Sequence, residues 1–563
     1  MNNRLLRINL STKNSTIETI PEKIVLQYMG GTGYISYFLY KELSPKIDPL
    51  SPDNKIIIAP GPIQGTRIPI SGRYSVGSKS PLTGFFIDSN AGGFFGPEIR
   101  FSGFDLIIVE GKSEHPSYIS IKDDLVAIKD ARFLWGKRVH ETDEMIKEEE
   151  NEPKMRILSI GPAGEKMVKI ACTTSDRYRN AGRGGIGAVF GSKNLKAVAI
   201  KGSSKPTNGD PDKIEKSRKN LVQRAKTAKD DGHLLHLHGT SWLVNLANHM
   251  DQFPTRNFQA GEFDEHEKLN HEALDKLYER FRRPCYMCPI ACSETLNATN
   301  FGWTQEKEIA KPEYETLGMM GGNLGLSDIE TIIHVNYLCN QYGLDTISTG
   351  SSISMTMEAV EKGFLKGEEF DDIRFGNKEV VFDLIHKIAN REGIGDILAE
   401  GIVYASEKWG IEHLAMHSKG LPLAAWDPRG KLGLGLSFAS AAVGASHLRG
   451  WPSTSDVPER SAVEVVDSII EQQDLKTIKD CLTICHFTHS ITPALSLEDC
   501  AKIAEAVWDK TISTEDTINI ARRIWIVKRM FNIREYETKN PIEFDTLPAR
   551  FMKEPLPSGR AEG

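Results

Sequence analysis

The chain has no apolar run near the roughly 20 residues that a membrane span requires. Its first stretch, MNNRLLRINLSTKN, contains no apolar core of the kind a secretory signal carries. The expectation is a cytoplasmic protein with no membrane partner. A basic stripe is also missing: Lys and Arg number 69 against 76 Asp and Glu, a formal net charge of -7. Pairs such as Arg282-Arg283 lack the clustered cations and interleaved aromatics that a phosphate backbone demands, so nucleic acid is not an expected partner. Cysteine is scarce, at 8 in 563 residues. That is too few for a disulfide scaffold, and a reducing compartment would keep such residues as ligands. The rest is ordinary for a globular protein, 40% hydrophobic and 26% charged, and long enough for three or four domains.

Three of the cysteines are crowded into Pro284-Cys285-Tyr286-Met287-Cys288-Pro289-Ile290-Ala291-Cys292, a C-x2-C-x3-C spacing. Leu274, Leu277 and Phe281 recur on one face of a preceding helical pattern, and Pro284 is expected to stop that helix and turn the chain into a loop. Three thiolates so close favour an iron–sulfur cluster, whose fourth ligand is commonly distant in sequence. Structural zinc would prefer two separated C-x2-C pairs or a Cys/His set, and inert buried thiols are the remaining alternative.

Residues 1–204 contain an internal repeat. KIIIAPGP at 55–62 parallels MRILSIGP at 155–162, Asn90-Ala91-Gly92-Gly93 parallels Asn180-Ala181-Gly182-Arg183, and DLIIVEGK from Asp105 parallels LKAVAIKG from Leu195. Two such units predict a pseudo-twofold β domain. The Asn-Ala-Gly steps are expected to be left-handed turns exposing backbone N–H groups as two anion nests, with Arg73 and Arg183 beside them for two phosphates. Glycine turns between strands are the plainer alternative.

SSKPTNGDPDK at 203–213 punctuates the chain, and helical patterns follow it. The expected class is α+β: an N-terminal pseudo-twofold β domain with internal repeat (1–206), then two mainly helical domains, 207–418 with the cysteine loop and 419–563. The histidines of HLLHLHGT, His233, His236 and His238, have a strand-like spacing without a cysteine or carboxylate partner nearby, so zinc is not assigned to them. Asp345, after Gly343-Leu344, reads equally as a site residue or a helix cap. In KDCLTICHFTH, Cys481 and Cys485 would share one face of a helix, and one of them is expected to be the fourth cluster ligand.

Taken together, SGRYSVGSKSP, NAGGFFGPEIRFSGFD, NAGRGGIGAVFGSKNLKA, the Cys285/Cys288/Cys292 loop, PEYETLG, GLDTIS, DPRG at 427–430, His447-Leu448-Arg449 and Asp480 with Cys485 resemble the tungsten-containing aldehyde ferredoxin oxidoreductase family. The resemblance runs from the first strand to LPARFMKEPLPSG. It implies a tungsten, or less often molybdenum, ion held by two pterin cofactors beside one [4Fe–4S] cluster, and it makes Cys485 the fourth ligand. It further implies that Asn90 and Ala181 give backbone oxygens to a magnesium ion linking the pterin phosphates. Arg73, Gly92, Asn180, Gly182, Arg183, Asp345, Arg449 and Asp480 would contact the pterins. Glu315 and His447 would be the catalytic pair, Glu315 taking a proton from water and His447 polarising the carbonyl oxygen. The chain departs from the family pattern at Asn180, where a basic residue can occur, and at Ile484, where glycine is usual. The implied activity is oxidation of an aldehyde with water to a carboxylic acid, electrons leaving to ferredoxin or another low-potential carrier. An aryl-CoA reductase or hydroxy-acid reductase subunit is the alternative on the same fold. A homodimer or a separate electron-transfer subunit would be the further partner; the Glu/His pair that links some family dimers through a metal has no match here.

Overall fold

The computed structural model describes residues 3–206, 209–451, 461–536 and 540–561. Isoleucine-rich runs closed by glycine and proline form its inner strands, because β-branched side chains pack well on a pleated surface covered on both faces. The strands of the first 201 residues are β1 (Arg4–Asn9), β2 (Asn14–Thr19), β3 (Ile56–Ala59), β4 (Tyr74–Lys79), β5 (Phe86–Ala91), β6 (Leu106–Glu110), β7 (Ser117–Lys122), β8 (Leu125–Asp130), β9 (Arg156–Ser159), β10 (Thr173–Ser175), β11 (Arg179–Ala181) and β12 (Leu195–Lys201). They make two six-stranded sheets, ordered β2-β1-β6-β3-β4-β5 and β8-β7-β12-β9-β10-β11. The orders coincide when each strand is matched with the one six later. Both sheets have one parallel pair, β1 with β6 and β7 with β12, among antiparallel neighbours. The repeat expected from sequence is therefore a repeat of topology. A helix follows the fifth strand of each unit, Phe95–Phe101 in one and Ile186–Ser192 in the other.

The two Gly-Pro steps have a common task. A Cβ on Gly61 would sit 2.1 Å from the carbonyl oxygen of Leu482, the last residue of the helix Ala462–Leu482. A Cβ on Gly161 would sit 2.3 Å from that of Tyr342, the last residue of the helix Ile329–Tyr342. Only glycine lets a backbone come so near. Each repeat thus receives the C-terminal end of one long helix. Past those ends lie left-handed Thr483 (φ 56°) and Gly343 (φ 73°), which turn the chain toward Cys485 and Asp345.

Burial follows the same division. One continuous core joins the first sheet to Ile478, Leu482, Ile524 and Phe531 of the C-terminal helices. A second gathers the middle helices around Leu317, Ile332, Ile353 and Leu384, and takes in Ala163 and Ile170 beside Gly161. Among the described residues, no helix is long and apolar enough to cross a membrane.

Two local readings change. The helix before the cysteines is His271–Leu277 and ends there, while Phe281 belongs to the strand Arg280–Arg282. That strand pairs with Glu294–Asn297, and the ladder wins over the apolar spacing. The histidine-rich stretch is a short helix, Leu234–His238, where a strand-like spacing had been read.

Candidate functional site

The three clustered cysteines occupy a hairpin loop whose base is the Arg282–Glu294 pair of the two strands just described. A second backbone bond, from Arg283 N–H to Ser293 O at 2.9 Å, narrows the base. Cys485 arrives from the opposite side. Ile70 joins the two parts: its N–H donates to Met287 O at 3.2 Å, and its carbonyl accepts from Cys485 N–H at 3.0 Å. Cys481, by contrast, lies on the helix Ala462–Leu482 and is fully buried in the first core. The helix ends before Cys485, so the two thiols do not share a helical face.

Burial, reinforced by Cys285 and Cys485, pushes the Cys288 thiol up to about 12. Burial likewise raises Cys292 well above the ordinary thiol value, with Cys288 and Cys485 adding to it. The raised pKa values of Cys288 and Cys292 are what a bound cation would relieve, since ligation deprotonates a thiol. Two arginines face them. Arg73 donates from Nε to Cys485 Sγ at 3.2 Å. Burial disfavours the charge on Arg73 and on Arg179, yet the sulfurs outweigh it and both lie above the ordinary arginine value. Among the described residues no three His, Cys, Asp or Glu side chains converge tightly enough for a single metal ion. A polynuclear cluster spreads its ligands more widely than the 2.3 Å bonds around one zinc.

The Asn-Ala-Gly segments are not turns. Asn90-Ala91 ends β5 and Asn180-Ala181 ends β11, and the left-handed residues come later, at Gly93 (φ 102°), Gly184 (φ 87°) and Gly185 (φ 75°). The two ends abut: Arg183 N–H donates to Ser89 Oγ at 3.3 Å, and Ser80 Oγ–H to Gly184 O at 2.8 Å. Glycine leaves room here. A Cβ on Gly182 would come no nearer than 3.7 Å to another atom, Asp345 Oδ1, and one on Gly92 would meet only Cys285 Sγ, at 2.9 Å. The repeat persists in side chains, since Asn90 stands opposite Ser75 and Asn180 opposite Thr174. Asn180 is spent internally, accepting from Thr174 Oγ1 at 2.8 Å and donating to Asn340 Oδ1 at 2.7 Å. Asn90 Oδ1 is buried with no partner among the described residues.

Asp345 caps the helix Thr346–Glu361, accepting from the N–H groups of Ile347 and Ser348. Its Oδ2 also lies 3.4 Å from Arg183 Nε. Arg183 in turn donates to Ala445 O and Pro422 O, tying the second repeat to the C-terminal third. Arg449 donates to Asp480 Oδ2 and to Asp88 Oδ2, each at 3.2 Å, and its Nε is buried and unpaired. Lys476 contacts Asp480, and Lys528 contacts Asp88 at 3.5 Å. Burial alone would raise Asp88, but Arg449 and Lys528 hold it at about 2. Sequence reasoning missed Asp88, Arg179, Lys476 and Lys528. Arg179 and Asp88 stand beside the Asn-Ala-Gly steps, which is the one local signal they carry; the two lysines sit on helices at unremarkable positions.

Glu315 lies in the first turn of the helix Tyr314–Met320. Its Oε2 accepts from Ala425 N–H and its Oε1 from Trp426 Nε1–H, both at 2.8 Å. His447 Nδ1 is 3.4 Å from that same Oε1, without a hydrogen bond between them. Burial lowers the His447 pKa from its ordinary value, against an opposing pull from Glu315. Its ring is therefore neutral near pH 7. Aromatic rings wall the pair: Trp426 packs against Tyr314 at 4.3 Å between centroids and edge-on to Trp451 at 4.7 Å.

Buried Asn90 Oδ1 and Arg449 Nε without partners, the open cradle at Gly182 and four convergent thiols fit a large polar cofactor beside an iron–sulfur cluster. Residues 5–202 match the family model described as aldehyde ferredoxin oxidoreductase, N-terminal domain, and residues 215–563 match that for domains 2 and 3. The chain is 41% identical to the tungsten-containing aldehyde ferredoxin oxidoreductase of Pyrococcus furiosus, over 100% of this chain and 93% of that one. It is 42% identical to the protein of that description from Thermococcus kodakarensis, with the same coverage. Among solved structures it is similar to the active site complex BamBC of benzoyl coenzyme A reductase in complex with 1,5-dienoyl-CoA. There the TM-score is 0.86 at 26% identity, covering 99% of this chain and 92% of that one.

Proposed function

This chain belongs to the aldehyde ferredoxin oxidoreductase family, and from that premise we propose that it oxidises a small aldehyde with water to the carboxylic acid, releasing two protons and two electrons to ferredoxin. The observation that carries the reading is the Glu315–His447 pair, set between aromatic walls near the residues that fit the cofactor. Arg73, Asn90, Gly92, Asn180, Ala181, Gly182, Arg183, Asp345, Arg449 and Asp480 would hold a tungsten bis-pterin. Asn180 and Ala181 would do so through backbone, and the backbone oxygens of Asn90 and Ala181 would hold a magnesium ion. Cys285, Cys288, Cys292 and Cys485 would hold a [4Fe–4S] cluster. When bound, the metal would supply the acceptor for the electron pair of the aldehyde C–H bond, whose hydrogen leaves as a proton, and the cluster would supply a one-electron outlet.

The chain's own residues handle the protons. Oε1 of Glu315 keeps a lone pair free beside the bond from Trp426, and takes the proton that water loses as it attacks the carbonyl carbon. Once protonated, that oxygen can donate across to the unbonded Nδ1 of His447. The neutral His447 ring then carries its own proton on Nε2 and directs it to the carbonyl oxygen. Tyr314, Trp426 and Trp451 exclude bulk water, which strengthens both contacts. The 41% identity to the aldehyde ferredoxin oxidoreductase of Pyrococcus furiosus supports this reading over an aryl-CoA reductase, the compared complex being 26% identical.

The test is made on anaerobically purified protein: tungsten, molybdenum, pterin and iron are quantified, and aldehydes, hydroxy acids and aryl-CoA thioesters are offered with a viologen acceptor or donor. Aldehyde-dependent viologen reduction is expected. Turnover confined to the thioesters or hydroxy acids would replace the assignment by the other chemistry of the same fold.

A further inference from the structure

A chain with a net charge of -7 repels an acidic protein unless some part of its surface is locally reversed. One part is. The helix Pro211–Asp230 has seven basic residues and three acidic ones in PDKIEKSRKNLVQRAKTAKD. Lys213 and Arg224 are engaged by Glu505 and Asp499 of the helix Leu497–Trp508, and Arg218 by Glu215. Lys216, Lys219 and Lys226 are exposed and have no ion-pair partner among the described residues. At ~100° per residue these three lie within roughly a quarter of the helix circumference, a sector that also holds Asp212 and Asp230 at the two ends of the helix, so its middle turns present a lysine-rich face.

That face adjoins the cysteine loop. Arg67, with 70% of its side chain exposed, reaches Glu215 on the helix at 3.4 Å. The same short segment continues to Ile70, the residue bonded to both Met287 and Cys485. Met287, between Cys285 and Cys288, is 39% exposed. Just beyond the other end of the helix, His236 faces Ser490 O in the turn that follows Cys485, at 3.2 Å, and Leu234 and Leu237 are exposed beside it. An apolar centre at Met287 with a cationic flank is the composition of a small transient interface steered by charge.

We propose that the Lys216/Lys219/Lys226 face, with Arg67 and Met287, is the docking surface for an acidic, low-potential iron–sulfur carrier protein. The proposal rests on the assignment of the cysteine loop as the electron exit, and it adds the place and sign of the contact. Charge complementarity selects this occupant: an acidic carrier would be attracted here and repelled by the chain as a whole, which also fixes its orientation over the loop.

The experiment compares the holoenzyme with its K216E/K219E/K226E variant, using a purified acidic [4Fe–4S] ferredoxin as probe and methyl viologen as the small control acceptor. The expected result at low ionic strength is a fall of about tenfold or more in the second-order rate of ferredoxin reduction, with a flattened salt dependence. Viologen-linked turnover and iron content should be unchanged, and K216R/K219R/K226R should behave as the parent. Because dithionite-reduced enzyme can be mixed with oxidised ferredoxin in stopped flow, this readout needs no aldehyde and stands apart from the substrate assignment. An unchanged ferredoxin rate and salt slope in the charge-reversed variant would overturn the proposal. So would a parent enzyme whose ferredoxin rate does not depend on salt.

Discussion

Nδ1 of His447 lies 3.4 Å from Oε1 of Glu315, and no hydrogen bond joins them. A bond across this gap needs a proton on one of the two facing atoms, and the proton that Glu315 is proposed to take from water would supply it. Glu315→Gln and His447→Asn should each lower kcat by about 10²–10⁴, the usual worth of general acid–base assistance. Tungsten, pterin and iron should stay at parental levels in both. Glu315→Gln has an added cost, since its amide NH2 would face one of the two N–H donors now satisfied by the carboxylate, about 1–3 kcal/mol of stability. Thermal melts of the cofactor-loaded variants check that second effect.

Cys481 and Cys485 should behave oppositely. Cys485→Ser is expected to abolish the reduced-cluster EPR signal, as should serine at Cys285, Cys288 or Cys292. Cys481→Ser places a hydroxyl in the apolar core and should lower stability by about 1–3 kcal/mol while the signal remains. Loss of signal in Cys481→Ser with retention in Cys485→Ser would exchange their roles.

The glycines of the repeat separate cofactor binding from folding. Gly61→Ala would drive a methyl group against the Leu482 carbonyl, and a cost of about 1–3 kcal/mol or more is expected. Gly182→Ala meets nothing closer than 3.7 Å in the chain itself. It should fold with an unchanged apo melting temperature yet purify with reduced pterin and metal. Parental cofactor content in Gly182→Ala would remove that residue from the cradle.

Burial holds His417, which accepts from Gly420 N–H at 3.2 Å, down at about 4. The unfolded chain therefore binds a proton at this residue between pH 6.5 and 4 that the folded chain does not. The stability contributed by the neutral ring is present above pH 6.5 and is lost as pH falls toward 4. Urea unfolding should show His417→Gln to have a flatter pH dependence than the parent over that window.

The repeat was legible because it is local self-similarity, strand runs and Gly-Pro steps recurring in order, and it survives as identical sheet orders. The cysteine spacing was legible for the same reason. The Asn-Ala-Gly steps were misread as turns, because a glycine after a short polar residue looks alike whether it turns the chain or merely leaves space for a neighbour. Periodicity failed at Phe281, where cross-strand pairing with Thr295 outweighs a seven-residue helix, and at Leu234–His238, where a short apolar run fits either period. The meeting of Glu315 with His447, and of Asp88 with Arg449 and Lys528, depends on how distant helices dock on the sheets. No spacing encodes it, and only the family resemblance pointed to Glu315 and His447.

The most direct test of the account is the stoichiometry of a single reaction. Anaerobic enzyme with its full complement of tungsten, pterin and iron is mixed with a small aldehyde and oxidised ferredoxin, and carboxylic acid and reduced ferredoxin are measured together. The account predicts one acid formed for every two ferredoxins reduced. Fully loaded enzyme that reduces no ferredoxin with any aldehyde, and forms no acid, would contradict it.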